Sequence, residues 1–155
     1  MNEKITKKIG EAYAFSQVLE TTFSANEAVV TQLIQGVASA VVETTASQKE
    51  ELAAICERAG TTNILMPKVE KTANKITRMG EMYVGDDWDD PAEVLEWLSF
   101  FVGGAIVHWQ LIAGAGESMG NEDLQKTAMN GVAYYGHLMD HLKIAATSIG
   151  ATRSQ

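Results

Sequence analysis

The sequence has one cysteine, Cys56, so no disulfide bond can form within the chain. Residues 1–24 also lack the basic start, apolar centre and small-residue cleavage site of a secretory signal peptide. The first absence excludes a disulfide-stabilised scaffold. Together they lead us to expect a protein of the reducing cytoplasm.

Basic residues are missing from a long interval, because no lysine or arginine occurs between Arg78 and Lys126. The chain as a whole has 20 acidic and 12 basic residues, which gives a formal net charge of −8. Ten of the acidic residues lie in the interval: Glu81, Asp86, Asp87, Asp89, Asp90, Glu93, Glu96, Glu117, Glu122 and Asp123. Such a negative field repels phosphate backbones, so we expect no binding to nucleic acid.

One long segment, Trp97 to Gly116, contains no charged side chain. A helix of these 20 residues rises about 30 Å, enough to cross either a small domain or a bilayer. Ser99, His108, Gln110 and four glycines interrupt the segment, and the basic flank typical of a membrane span is missing. We therefore expect a buried helix at the centre of the fold and no membrane span.

Apolar residues recur at three- and four-residue spacing along the chain, which predicts helices throughout. The first helix is predicted over residues 2–23. Ser24 and Glu27 have the spacing of a capping box, so a second helix is predicted to begin at Ser24 and to end at Ala59, before Gly60. The weak apolar pattern at its centre leaves two alternatives, one long helix or two helices broken near residue 46.

Proline and capping signals predict the other helices. Pro67 suits a first helical turn, and apolar residues up to Met79 indicate a helix of about four turns, the shortest of the set. Asp90 and Pro91 together predict the start of a long helix that stops at Gly120. The last helix is predicted to follow Gly120 and to reach about residue 149.

Four long helices with a short extra helix between the two pairs predict an all-α single domain over residues 1–155, arranged as an antiparallel four-helix bundle. Several glycines lie within the predicted helices, where each costs about 0.5–1 kcal/mol relative to alanine. They are Gly36, Gly103, Gly104, Gly114 and Gly116. Close helix approach explains such glycines, and a ligand-sized hollow is the alternative.

This layout resembles the ferritin-like superfamily, and residues 107–142 are similar to stress-associated ferritin-like proteins of bacteria. The resemblance implies a metal pair held by Glu-x-x-His motifs and by further glutamates. These motifs are absent, because Ala105, Tyr134 and Leu138 stand three residues before the three histidines. We therefore expect a ferritin-like bundle without a standard diiron site, acting as a binding or stress-associated module.

The three histidines support a rival hypothesis. His137 and His141 are four residues apart and share a helix face, and an antiparallel neighbour could bring His108 to them. Three imidazoles would suit a single zinc, nickel or iron ion, as in the DinB-like bundles, which the pattern resembles. On this hypothesis the chain is a metal-binding protein or a metal-dependent enzyme. The alternative is that these histidines are ordinary hydrogen-bonding groups and that no cofactor is present.

A third hypothesis is a structural protein that binds a partner, or a homodimer formed through an apolar helix face. It depends on methionine and aromatic residues that would have to be exposed: Met79, Met82, Trp88, Trp97 and Phe100. No nucleophile motif is present, and Cys56 lies in an apolar stripe without an evident base. A non-catalytic role is therefore favoured over an enzyme.

Two sets of acidic residues have both a functional and a structural interpretation. The aspartates of residues 86–90 could bind calcium, but capping of the next helix explains them more simply. Glutamates on several helices would form a carboxylate cluster only if they turned inward. They are Glu11, Glu20, Glu43 and Glu96.

Overall fold

Six helices account for nearly the whole chain in the computed structural model, which describes residues 1–155. They are α1 (Glu3–Ala25), α2 (Glu27–Leu33), α3 (Val41–Arg58), α4 (Thr62–Val84), α5 (Pro91–Ser118) and α6 (Glu122–Arg153). A short 3-10 turn, Ala38–Ala40, precedes α3, and there is no β-strand. The all-α prediction is confirmed.

One cluster of 35 buried hydrophobic residues receives side chains from all six helices. The most extensive helix pair is α5 with α6, while α1 packs against α3, α4 and α5, and α3 also contacts α6. The α5–α6 pair is antiparallel, since Gly103 lies near Met139 and Gly116 lies near Gln125. Helix α1 therefore lies at the centre of the fold, where it can supply side chains to sites on several neighbours.

The region predicted as a second helix is divided, but not where the apolar pattern is weakest. Ser24 is an exposed residue of α1, and α2 follows Asn26 without a side-chain cap, so the capping-box prediction is wrong. The break falls at residues 34–40, where Gly36 has φ +87°, a value that suits glycine. Near residue 46, α3 is continuous because buried Thr45 and Gln48 both find hydrogen-bond partners.

The predicted short helix is in fact α4, with 23 residues. It begins at Thr62, so the expected loop before Pro67 is helical and Pro67 lies inside the helix. Leu65 is completely buried, and its burial favours a helical turn that starts ahead of the proline. Proline at this point removes one backbone donor but does not end the helix.

The ends of α5 and α6 agree closely with prediction. Asp90 accepts a hydrogen bond from the amide of Ala92 at 2.8 Å, which confirms it as the cap of α5. Asn121 caps α6 in the same way, through the amide of Leu124 at 3.0 Å. Helix α6 continues beyond the predicted end to Arg153, whose guanidinium pairs with the Asp90 carboxylate.

The glycines predicted to allow close approach divide into two groups. A Cβ atom on Gly116 would lie 2.6 Å from the backbone nitrogen of Gln125, and one on Gly104 would lie 3.3 Å from the Phe15 ring. At Gly114 a Cβ would meet nothing within 4 Å. Close helix approach therefore explains the first two, whereas Gly114 lies on the exposed side of α5.

By length and composition alone, α5 could cross a membrane, since its most apolar window has a mean hydropathy of 1.5. In the fold, 39% of that window is buried. A core helix of a soluble protein passes the same test, so this property does not assign a location. The cytoplasmic location stays a prediction.

Candidate functional site between α1, α4 and α5

Helices α4 and α5 meet closely near the loop that connects them. A Cβ atom on Gly80 of α4 would lie 3.0 Å from atoms of the Trp97 indole, so glycine at this position lets α4 approach α5. Trp97 is 5% exposed, and its ring centroid lies 6.1 Å from that of Tyr83. The indole lines one end of a groove.

The groove, which we call the α1/α4/α5 groove, lies between α4 and α5 over a floor supplied by α1. Its volume is about 360 Å³. Six large apolar side chains line it: Phe15, Ile76, Met79, Trp97, Phe100 and Phe101. The rings of Phe15 and Phe101 are tilted by 54° with their centroids 5.1 Å apart, while Phe100 is 65% exposed at the rim. The groove is therefore an aromatic-walled cleft that is open to solvent.

Glu11 is the centre of a polar cluster at the other end of the groove. Its Oε1 atom lies 2.8 Å from the Lys68 ammonium, and its Oε2 atom lies 2.8 Å from the Lys8 ammonium. Burial opposes ionisation of Glu11, but the hydrogen bonds and charges of Lys68 and Lys8 outweigh it and keep the pKa of this carboxyl below its ordinary value. The carboxylate therefore stabilises the fold at neutral pH, and this contribution is lost as the pH falls through the lowered pKa.

His108 completes the polar cluster. Its Nδ1 atom lies 2.8 Å from the carbonyl oxygen of Gly104, and because a carbonyl only accepts, this contact assigns the proton to Nδ1. Its Nε2 atom lies 3.3 Å from Glu11 Oε2, and its ring lies 4.9 Å from that of Phe15. His108 thus joins the polar end to the aromatic wall.

Lys75 lies between the two ends of the groove and is solvent-exposed. It takes part in none of the ion pairs of the protein. The groove and its margin contain three lysines, Lys8, Lys68 and Lys75, and one acidic residue, Glu11. The local charge is therefore positive, although the whole chain is strongly negative. The site therefore attracts anions locally.

The structure places the three histidines of the predicted metal site in two different surroundings. His137 and His141 are neighbours on α6, with ring centroids 4.9 Å apart, and His141 lies in a surface cleft beside Leu33 of α2. His108 instead contacts Glu11 on α1. No group of three or more His, Cys, Asp or Glu side chains is arranged to hold a metal ion. Binding of zinc, nickel or iron by these histidines stays a prediction without support from the geometry.

The carboxylates that might have clustered point to separate partners. Glu11 pairs with lysines, Glu20 pairs with Lys49 at 2.7 Å, and Glu96 accepts a hydrogen bond from Tyr83 at 2.9 Å. Glu43 is exposed. Three of these four glutamates form ion pairs or hydrogen bonds with separate partners, Glu43 forms none, and the four supply no common site.

A buried polar layer lies at the centre of α1, α3, α5 and α6. Ser16 donates a hydrogen bond to Gln48 at 2.7 Å, and the Tyr135 hydroxyl lies 3.4 Å from Ser16. The indole nitrogen of Trp109 and the hydroxyl of Tyr134 are buried without partners, and burial raises the pKa of Tyr134 to about 12. The layer contains no carboxylate and no histidine.

A sequence pattern on α4 indicates the positive charge beside the groove, although not the groove itself. Basic residues recur on α4 at three- and four-residue spacing, which places a basic stripe on one face of this helix in an acidic chain: Lys68, Lys71, Lys75 and Arg78.

Comparison of the chain with protein-family models, with curated proteins and with solved structures finds no match. The functional argument therefore depends on the groove itself.

Proposed function

We propose that this protein is a ferritin-like helical bundle without a diiron centre that binds a small molecule in the α1/α4/α5 groove. On this proposal, α1, α3, α5 and α6 are the four-helix bundle and α4 is the additional helix. The contacts of α1 with α3 and α5, and of α6 with α3 and α5, support this arrangement. A stress-associated role for such a module stays a hypothesis from the resemblance.

The composition of the central layer supports the absence of a diiron centre. A metal pair in a bundle of this type needs carboxylates and imidazoles that project inward from facing helices. Here the corresponding interior holds Ser16, Gln48, Trp109 and Tyr135. These side chains fill the space and provide no anionic ligand.

The single observation that carries the binding function is the groove itself. Its volume falls in the range of small-molecule sites, about 300–1,000 Å³. Other clefts on the surface have similar volumes, so the aromatic lining and the polar cluster are what distinguish the groove. Aromatic walls supply the apolar contact area, and a few polar groups at one end can orient a ligand. No nucleophile paired with a base lies in the groove, so we propose binding rather than catalysis.

Filling the groove should abolish binding of an apolar probe. Thr72 lines the groove and is half-buried, so Thr72→Trp should place an indole in the cavity. We expect the uncharged dye Nile red to bind the wild-type protein and to lose about tenfold or more in affinity for the variant, a change of about 1.4 kcal/mol or more. Fluorescence titration measures the affinity, and circular dichroism verifies that the variant is folded.

Asn74→Trp is the matched control, because Asn74 is exposed on the same helix and lines none of the principal clefts. It adds the same side chain outside the groove, so dye affinity should stay at the wild-type value. Equal affinity of wild type and Thr72→Trp would show that the dye binds elsewhere and would contradict the proposed site.

The outward face of α5 favours a second candidate function, assembly into a homodimer. Phe100, Val107 and Leu111 on this face are 65%, 58% and 52% exposed. No charged residue lies between Glu96 and Glu117, so two copies packed through this face would bury no charge at the centre of their contact. A second copy of the chain is therefore the partner that this face fits.

Light scattering coupled to size-exclusion chromatography tests the homodimer. We expect a mass of two chains for the wild type and of one chain for Leu111→Glu, because the variant would bury a carboxylate in the interface. Ile144→Glu is the control, since Ile144 is 69% exposed on α6 and lines a cleft beside Leu33 of α2 that contains no residue of α5, so its replacement should leave the dimer intact. A wild-type protein that elutes with the mass of one chain at high micromolar concentration would contradict the homodimer.

A further inference from the structure

The charged groups of the groove determine which class of ligand it can accept. Glu11 is the only acidic side chain that lines the groove, and both of its oxygens already have partners. Oε1 accepts from Lys68, and Oε2 accepts from Lys8 and faces His108. A cationic ligand would have to displace these contacts, so the carboxylate is a poor recognition group.

Lys75, unlike Glu11, carries a charge that has no partner within the protein. Its ammonium carries three donors, forms no ion pair within the protein and lines the same groove. A ligand that brings its own anionic oxygen would meet this free cation without breaking a contact within the protein. The excess of positive charge at the groove favours the same ligand.

The position of Lys75 leaves the aromatic end of the groove free for the apolar body of a ligand. Phe100 and His108 lie two turns apart along α5, so the aromatic end and the polar cluster are about 12 Å apart at 1.5 Å per residue. On the opposite wall, Lys68 contacts Glu11 at the polar end and Gly80 contacts Trp97 at the aromatic end. Lys75 lies between them on α4, so a carboxylate bound to it leaves the apolar body beside the aromatic side chains.

Building on the proposed binding function, we infer that the ligand is an amphipathic carboxylate, a small acid whose apolar body lies against Phe15, Trp97 and Phe100 and whose carboxylate pairs with Lys75. The aromatic walls remove the hydrocarbon from water. The lysine supplies a charge-assisted hydrogen bond, which is stronger than a hydrogen bond between neutral groups.

Three compounds with the same alkyl chain test this inference by isothermal titration calorimetry: octanoate, octan-1-ol and octylammonium. We expect octanoate to bind about tenfold more tightly than octan-1-ol, a difference of about 1.4 kcal/mol, because only the carboxylate can form a charge-assisted hydrogen bond with Lys75. Octylammonium should bind more weakly than either compound. In Lys75→Gln, the affinities for octanoate and octan-1-ol should become similar, while the affinity for octan-1-ol should not change.

Lys143→Gln is the control for net charge. Lys143 is exposed on α6, and its nearest acidic partner, Asp140, is 3.9 Å away. Its replacement removes the same charge but should keep the preference for octanoate. Equal binding of octanoate and octan-1-ol to the wild type, or tighter binding of octylammonium, would overturn the inference and leave the groove as a binding site. Absence of Nile red binding and of binding by all three alkyl compounds would instead overturn the proposed function as well.

Discussion

Replacing Gly131 with alanine should destabilise the protein by about 3 kcal/mol or more, because the added methyl group would overlap a core side chain. A Cβ atom on Gly131 would lie 2.2 Å and 2.3 Å from two carbons of the Trp109 indole. Trp109 is completely buried and packs beside Tyr135, so it has no free space into which it can move. The midpoint of unfolding in urea, followed by circular dichroism, measures the loss.

Gly136→Ala is the matched control in the same helix. A Cβ atom at this position would meet nothing within 4 Å, and the backbone is ordinary helix. The substitution should therefore stabilise the protein by about 0.5–1 kcal/mol through helix propensity alone. An unfolding midpoint of Gly131→Ala equal to that of the wild type would show that α5 and α6 do not pack as described.

Removing the Trp97 indole, which lines one end of the groove, is also expected to destabilise the protein. Trp97→Ala should cost about 3–5 kcal/mol, because the side chain is buried between Gly80 and Phe101 and its loss leaves a cavity. Trp97→Phe retains most of the apolar volume and should cost less. The ordering of the unfolding midpoints, measured by circular dichroism rather than by tryptophan fluorescence, checks both variants.

Trp88→Ala is the matched control, because it removes the same type of side chain at a less buried position. Trp88 is only half-buried in the loop before α5, so its loss should cost much less than the loss of Trp97. Equal losses of unfolding free energy for Trp97→Ala and Trp88→Ala would mean that the contact of Trp97 with α4 adds no stability. That result would contradict the packing of α4 against α5 at Gly80 and Trp97.

Local signals in the sequence predicted several elements correctly. Apolar spacing identified α1, and the pair Asp90 and Pro91 located the start of α5, because a cap and a proline act within one helical turn. The same logic failed for Ser24 and Glu27, since Ser24 is still within α1 and α2 begins only at Glu27. Local chemistry marks where a helix can begin, while tertiary packing determines whether it does.

The errors in the middle of the chain have a tertiary origin. Thr45 and Gln48 made α3 look weak, but Ser16 of α1 supplies a buried partner to Gln48 from a distant part of the chain. The early start of α4 depends on the burial of Leu65 in the core. Neither contact can be read from the spacing of neighbouring residues.

The groove was not predicted for the same reason. The sequence indicated the histidines and the acidic residues, because these residue types are familiar metal ligands. The groove instead needs Gly80 to bring α4 against Trp97 and needs α1 to supply Phe15 as its floor. Its members are ordinary core and surface residues until the three helices are packed together.

The connection between α5 and α6, which consists of the three residues 119–121, also bears on how the chain folds. Residues 91–153 form a hairpin whose partners are close in sequence at the turn, so closing it costs little chain entropy. Contacts of α1 with α4 and α5 join residues much farther apart and are correspondingly slower to form. We therefore expect the carboxyl-terminal hairpin to form before the amino-terminal helices pack onto it, so that the groove would form last.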